Sequence, residues 1–245
     1  MGAYALSGDF QRLSCGLWSE IYCFQVTAVY ESVTYQQRPL MTRIASRRPK
    51  STEVGTEYQQ GLIDQLEGEC VLKALDDQLY WICELASHLC TEQIDKVHAS
   101  YGWSIRQVFE HCVDAERVFG YRMLRIAAGD STPLPGWDEN AYADRRFGLG
   151  NFSGLVAEFG YLRQANLLLL RRIVPSSWDS SADVDGFSIT VRAIAWLTAG
   201  HLHHHLGIVE QRCGVAVART AAQAMMDQQA MMDQQAMMDQ QAMKS

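Results

Sequence analysis

Apolar side chains recur at three- and four-residue steps between residues 62 and 89. The set comprises Leu62, Leu66, Cys70, Leu72, Leu75, Leu79, Ile82, Leu85 and Leu89. A repeat of this period places its members on one face of an amphipathic helix. The pattern therefore predicts a first helix over this stretch, with its apolar face turned towards a core.

The second predicted helix has a well-marked beginning. Ser104 is a typical N-cap residue, Gln107 completes a capping box three positions later, and Trp103 can pack onto Val108 as a hydrophobic staple. The apolar face then continues through Ile105, Val108, Phe109, Cys112 and Phe119. We expect the helix to run to about residue 128, where a Gly-Asp pair and then a Pro-Leu-Pro-Gly sequence prevent its continuation.

Two more helices are predicted further along the chain. The third runs from about Ser153 to Ile173 and ends before a proline, and its apolar set is Leu155, Phe159, Leu162, Leu167, Leu169 and Leu170. The fourth starts after Ser188 and extends to about Cys213, where a glycine stops it. The polar segment 179–186 is predicted to be a loop, and no strand-period segment of any length competes with the helices.

Four long helices joined by polar connections predict an all-α protein built as a four-helix bundle. We assign the bundle to residues 57–214. The long connection 137–151 exceeds a simple hairpin loop, so we expect it to pack over one end of the bundle. Residues 1–56 show no sustained period, and we expect an irregular, poorly ordered N-terminal extension whose basic patch at 43–50 is a solvated linker.

The C-terminal segment 215–245 is a low-complexity tail. It repeats the sequence Ala-Met-Met-Asp-Gln-Gln three times. Six residues turn a helix through about 600°, so successive repeats drift around the axis and no continuous apolar stripe forms. We therefore predict a frayed helix or a disordered tail and assign it no function.

Charge and cysteine content narrow the classes of function. The formal net charge is -7 and the sequence contains no basic stripe in the bundle region, which argues against nucleic-acid binding. No stretch has the pattern of a secretion signal or a membrane span, so no membrane partner is expected. The seven cysteines are odd in number, scattered and without a Cys-x-x-Cys pair, which is typical of reduced thiols in a cytoplasmic protein.

Two histidines of the fourth helix occupy positions that the apolar pattern reserves for the core. Steps of four and three along the inward face give Ile194, Thr198, His201, His205 and Ile208. Histidines at i and i+4 lie close enough on one helix to bind the same ion. Two unpaired imidazoles in an apolar core would cost a few kcal/mol, which favours a metal site. By the same geometry His203 faces away and His204 lies at the rim.

A third ligand is needed, and His111 is the candidate. It lies on the edge of the apolar stripe of the second helix. His88 and His98 are rivals, but their positions at a helix end and in a polar run suit a loop or surface role better. Three neutral imidazoles leave coordination positions open for water or substrate, as in a catalytic metal site. Zinc, nickel and iron all suit such donors, and the sequence does not choose among them.

Together these motifs resemble the DinB-like (DinB/YfiT) four-helix metalloproteins. The resemblance covers about residues 65–213 and rests on the order and spacing of Trp103-Ser104, His111 with Asp114 and Glu116, Tyr121-Arg122, Leu134-Pro135-Gly136, and Gly200-His201 followed by His204-His205. It implies a metal bound by one histidine of the second helix and two of the fourth. Those residues are His111, His201 and His205, the same set that periodicity suggests.

The resemblance also implies a range of activities. Members of the family include thiol-dependent transferases and isomerases, metal-dependent hydrolases and proteins without known activity, and a fold does not choose among them. We expect a metal-dependent enzyme acting on a small-molecule substrate, and whether a low-molecular-weight thiol takes part is left open. Asp114 or Glu116 could serve as a base, but an exposed carboxylate or an ion pair with Arg117 or Arg122 is the preferred interpretation.

The alternative is a non-catalytic bundle that a metal stabilises and that serves in homodimerisation or partner binding. A third hypothesis, binding of damaged DNA, has the least support because the chain is acidic.

Overall fold

The computed structural model describes residues 46–145 and 151–242, so the expectations for residues 1–45, including the start of the basic patch, lie outside the described residues. The described helices are α1 (Glu57–Asp64), α2 (Val71–Ser87), α3 (Thr91–Ile94), α4 (Ile105–Ala127), α5 (Glu139–Asp144), α6 (Phe152–Arg172), α7 (Val191–Cys213) and α8 (Ala221–Ala242). Short 3₁₀ turns cover Ser51–Glu53 and Pro175–Asp179, and two strands, β1 (Ser181–Val184) and β2 (Phe187–Thr190), form one antiparallel sheet.

Helices α2, α4, α6 and α7 form the predicted four-helix bundle. Both α2 and α4 pack against α6 and against α7, so the four helices close into a ring. The core between them divides into two clusters of buried side chains, one around Trp196 and one around Trp81 and Phe109. Among the described residues, no helix combines the length and apolar character that crossing a bilayer would require.

The prediction of one continuous first helix is wrong. The chain forms α1, leaves the helical path after Asp64, and begins α2 at Val71. Gly68 lies in the break with φ of 80°, a left-handed conformation that glycine adopts without steric cost. Both segments bury apolar side chains, α1 against α7 and α2 inside the bundle. The apolar repeat therefore continues on both sides of the break, and the sequence pattern does not show where the helix is interrupted.

The predicted polar loop before the fourth helix contains a β-hairpin. Strands β1 and β2 pair antiparallel across Asp185 and Gly186, whose φ values of 55° and 83° are those of a type I′ turn. The Asp-Gly dipeptide is a strong hairpin signal that the sequence interpretation missed. Because β2 runs to Thr190, the last bundle helix starts at Val191, and the Thr190 side chain caps it by accepting a hydrogen bond from the amide of Ala193.

Other predicted helix ends are confirmed. Ser104 and Gln107 form the capping box of α4, and this helix ends before Gly129, which has φ of 80°. The helix α7 ends before Gly214 in a left-handed conformation. Capping side chains and left-handed glycines determine these helix ends, so the neighbouring sequence predicts them correctly.

The described part of the extension, residues 46–56, contacts α7. The indole nitrogen of Trp196 donates a hydrogen bond to the carbonyl of Arg47 at 2.7 Å, and Arg192 forms an ion pair with Glu53 at 2.5 Å. At the other end of the chain, the methionine-rich repeats form α8, and Met225 is 73% exposed. The domain boundaries at 56/57 and 214/215 stay predictions.

Gly200 permits the close approach of α7 to α1. A Cβ atom at this position would lie 2.5 Å from the Leu62 carbonyl oxygen, a backbone atom that can yield only if the two helices separate. We expect Gly200→Ala to lower the free energy of unfolding by about 1–3 kcal/mol, as overpacking does. Urea denaturation of the purified variant measures this change.

Gly207→Ala is the matched control in the same helix. A Cβ atom there meets nothing within 4 Å, so the higher helix propensity of alanine should leave stability unchanged or raise it by up to about 1 kcal/mol. Equal effects of the two substitutions would contradict the proposed close contact.

Candidate metal centre

The structure brings His111 of α4 together with His201 and His205 of α7. One ring nitrogen from each of the three side chains lies within 4.8 Å of the other two. Nε2 of His111 and Nε2 of His201 lie 2.9 Å apart. Donor atoms bound about 2.0–2.1 Å from one zinc ion lie roughly 3–4 Å apart, so these rings are near the spacing of a shared cation.

Helix geometry explains how the three rings meet. His201 and His205 are one turn apart on α7, and their ring centroids are 4.5 Å apart. The adjacent helix α4 presents His111 opposite them, with ring centroids 4.8 Å and 4.7 Å from His201 and His205. Periodicity identifies the α7 pair, but only the packing of α4 on α7 brings the third ring to the pair.

The other described histidines lie outside this cluster. His204 has its ring edge against His205 at a centroid distance of 5.3 Å, and His203 packs against Trp81 on another side of the helix at 5.1 Å. His88 caps the end of α2, and His98 lies beside Arg212. The placement agrees with the expected rim position of His204 and with the surface or loop roles expected of His88 and His98.

The surroundings keep the α7 imidazoles neutral. Burial lowers the pKa of His201 well below 6.5, and positive charge on His205 or His111 would oppose its protonation further. Burial, followed by the effects of His111 and His204, lowers the pKa of His205 to about 3. A neutral imidazole has the free lone pair that a metal ion requires.

These shifts predict a pH-dependent stability for the metal-free protein. The pKa of His205 is about 3 in the folded chain, whereas an unfolded chain has a histidine pKa of about 6.5. Between these two pKa values the unfolded state binds more protons than the folded state. The contribution of His205 to the free energy of unfolding is therefore fully present above about pH 6.5 and decreases as the pH falls towards about 3. We expect His205 alone to contribute a loss of about 1 kcal/mol by about pH 5, a figure reduced for its partial exposure.

Urea unfolding at about pH 7.5 and about pH 5, after removal of metal with a chelator, measures this loss. The His205→Ala variant should lose less stability between the two pH values than the natural chain. An identical pH dependence in both proteins would show that this imidazole is not held neutral by the fold.

Aromatic rings cover His111. Trp137 stacks on it with an interplanar angle of 5° and a centroid distance of 5.4 Å, and Trp103 lies at 5.1 Å. Tyr142 packs edge-on against Trp137. Trp137 and Tyr142 belong to the connection 137–151, whose described part therefore lies over the three-histidine cluster, in agreement with the expectation that it packs over the bundle.

One carboxylate near the cluster was missed. Glu139 is the first residue of α5, and its Oε2 atom lies 3.9 Å from Nε2 of His111. The side chain of Glu139 is 53% exposed. The pKa of Tyr58 is raised first by the burial of that residue and second by the negative charge of Glu139. The connection 137–151 has no apolar repeat, so the sequence pattern gives no reason to select Glu139.

The preferred interpretation of Glu116 is wrong. Its carboxylate is buried and forms a bidentate ion pair with Arg163 of α6, with distances of 2.8 Å and 2.9 Å. Arg117 pairs with Glu158 instead, and Arg122 donates a hydrogen bond to the carbonyl of Pro135. The predicted partners, Arg117 and Arg122, lie on the same helix as Glu116, whereas the buried partner comes from another helix.

The buried pair belongs to a polar network that contacts all four bundle helices. Arg163 also donates to the Leu75 carbonyl and to the Gln78 side chain of α2. Gln78 in turn donates to the Ala199 carbonyl of α7, and Asn166 donates to Glu116. Each buried charge therefore has several polar partners, which such burial requires.

The fold and the cluster together define a class of protein, a four-helix bundle with three imidazoles converging from two adjacent helices. Residues 74–209 match the family model of the DinB superfamily, and the chain belongs to this superfamily. The match agrees with the resemblance drawn from the motifs.

A solved structure shares the fold. YfiT from Bacillus subtilis is 20% identical, with a TM-score of 0.51, over 70% of this chain and 99% of that chain. It is described as a probable metal-dependent hydrolase with an unusual four-helix bundle topology. No curated protein matches the sequence.

Proposed function

We propose that this protein binds one divalent metal ion through His111, His201 and His205 and acts as a metal-dependent enzyme on a small molecule. The observation that carries the proposal is the approach of one nitrogen from each ring to within 4.8 Å of the others. Zinc and nickel suit this donor set best, and iron is a third candidate. A bound cation would act as a Lewis acid and lower the pKa of a coordinated thiol or water.

The residues around the cluster support a site that is reachable but not fully solvated. His111 is buried, whereas His201 and His205 are partly exposed. The Trp137 ring stacks on His111 and covers one face of that imidazole. A small molecule could therefore approach from the side of the α7 histidines while the aromatic rings provide apolar contact.

Two reaction types fit this arrangement. One is transfer to or from a low-molecular-weight thiol, and the other is hydrolysis, the activity that the description of YfiT names as probable for that protein.

We also propose a cytoplasmic location, which is supported by the absence of a disulfide among the five described cysteines.

A non-catalytic role is the second candidate. The three histidines come from two helices, α4 and α7, so a cation would also join these helices. Metal binding would then contribute to folding, with homodimerisation or partner binding as the task. The His205→Ala variant separates the two roles.

Elemental analysis of protein purified without a histidine tag tests the central claim. We expect about one equivalent of zinc, nickel or iron per chain, and the absence of any divalent metal after reconstitution would contradict the proposal. A screen of the loaded protein with low-molecular-weight thiols and electrophiles then distinguishes thiol transfer from hydrolysis.

A further inference from the structure

Glu139 belongs to the connection between α4 and α6, and its carboxylate lies beside the three-histidine cluster. Its Oε2 atom is 3.9 Å from Nε2 of His111. Within the described ranges, no lysine or arginine lies within 4.0 Å of this carboxylate, and His111 is its one ion-pair partner. Within the described part of the chain, this carboxylate therefore faces the His111 imidazole with no lysine or arginine at ion-pair distance.

The segment that carries Glu139 is held in place on both sides. Before it, Arg122 donates a hydrogen bond to the Pro135 carbonyl at 2.9 Å, and Trp137 stacks on His111. After it, Gln107 donates to the Ala143 carbonyl at 3.3 Å. The backbone that carries Glu139 is thus held by contacts with α4, the same helix that carries His111.

The separation between the carboxylate and His111 suits two donors of one ion. Ligands bound about 2.0–2.2 Å from a zinc ion lie between roughly 3 Å and just over 4 Å apart, depending on the angle. Glu139 does not belong to the set of atoms within 4.8 Å of one another, so it approaches from the His111 side. The Glu139 side chain is 53% exposed, so packing does not confine it to one rotamer.

We propose that Glu139 supplies an oxygen donor, the fourth protein ligand, to the cation held by His111, His201 and His205, and that water or a thiol would bind as a fifth ligand of the ion. The inference rests on the proposed function. It makes the connection between α4 and α6 part of the metal site, and it adds a carboxylate that suits zinc and iron better than soft monovalent ions. The negative charge would also offset part of the charge of a divalent cation beside three neutral ligands.

The test is a titration of the metal-free chain with Co²⁺, a spectroscopic substitute for zinc, in the natural protein and in Glu139→Gln. We expect the variant to bind Co²⁺ about 10–100-fold more weakly and to show a visible spectrum altered in band position or intensity. Glutamine keeps the size of the side chain and removes its charge, and the exposure of Glu139 makes a folding defect a poor explanation.

Asp144→Asn is the matched control. Asp144 is an exposed carboxylate at the last position of the same short helix, so the substitution removes the same charge away from the cluster. We expect its affinity to stay within about twofold of the natural protein, because an exposed charge at a distance is screened.

The outcomes separate the two proposals. If the natural chain binds Co²⁺ and Glu139→Gln matches Asp144→Asn in affinity and spectrum, the inference fails while the three-histidine site stands. A weaker affinity with an unchanged spectrum also overturns the inference, because the carboxylate would then act from outside the coordination sphere. If the natural chain binds no Co²⁺, the proposed function fails as well.

Discussion

The His205→Ala variant should retain less than about a tenth of an equivalent of metal under conditions where the natural protein holds about one equivalent. The substitution removes one of three converging nitrogens and leaves His111 and His201, which as a pair on two helices offer a far weaker site. Elemental analysis and Co²⁺ titration measure the loss. This is the largest effect that we expect on metal binding.

His203→Ala is the control for this substitution. It removes an imidazole from the same helix, two residues away, whose ring packs against Trp81 and not towards the cluster. Metal content should stay at about one equivalent in this variant. Equal metal loss in both variants would contradict the assignment of His205 as a ligand.

The same variant also distinguishes a catalytic from a structural ion. A ligand at about 100 times its Kd stabilises the folded state by about 2.7 kcal/mol, and His205→Ala should abolish this increment on adding metal. If the ion is catalytic, the variant stays folded and its turnover disappears. If the ion is structural, melting falls steeply and the intact natural protein shows no chemistry with thiols or electrophiles.

The second large effect concerns the buried ion pair between Glu116 and Arg163. We expect Arg163→Met to lower the free energy of unfolding by about 3–5 kcal/mol, because it leaves the Glu116 carboxylate buried without its cation. Arg163 is 0% exposed and Glu116 is 2% exposed, so water cannot replace the lost partner. Urea denaturation followed by circular dichroism measures the change.

Two further variants make this prediction specific. The double variant Glu116→Leu/Arg163→Met removes both charges and should recover much of the stability, as replacement of buried pairs by apolar groups does. The exposed pair of Arg117 and Glu158 joins the same two helices, α4 and α6, with side-chain exposures of 48% and 41%. Arg117→Met should therefore cost less than about 1 kcal/mol.

Equal losses in the single and double variants would contradict the explanation by an unpaired buried charge. The loss would then come from packing around the long Arg163 side chain, which also lies over the Phe159 ring. A loss in Arg117→Met as large as that in Arg163→Met would show that burial does not decide the contribution of an ion pair in this bundle.

Local signals predicted some features well. The capping box at Ser104 and the glycine after Cys213 place two helix ends within a residue or so, because caps depend on neighbouring residues. The Asp185-Gly186 hairpin is also a local feature, but its strands of four residues are too short to show a clear two-residue period. The apolar repeat does not reveal the break at Gly68, because the helices before and after it both bury apolar side chains at the same spacing.

The sequence by itself determined the helical class, the inward position of His201 and His205, and the candidacy of His111, because helical spacing and caps are properties of adjacent residues. Tertiary structure decided which residues from distant segments meet. It brought the ring of His111 to the α7 pair, placed Arg163 against Glu116, and set Glu139 beside the cluster. Helix packing and the path of a connection depend on contacts between elements, and no single-helix pattern contains them.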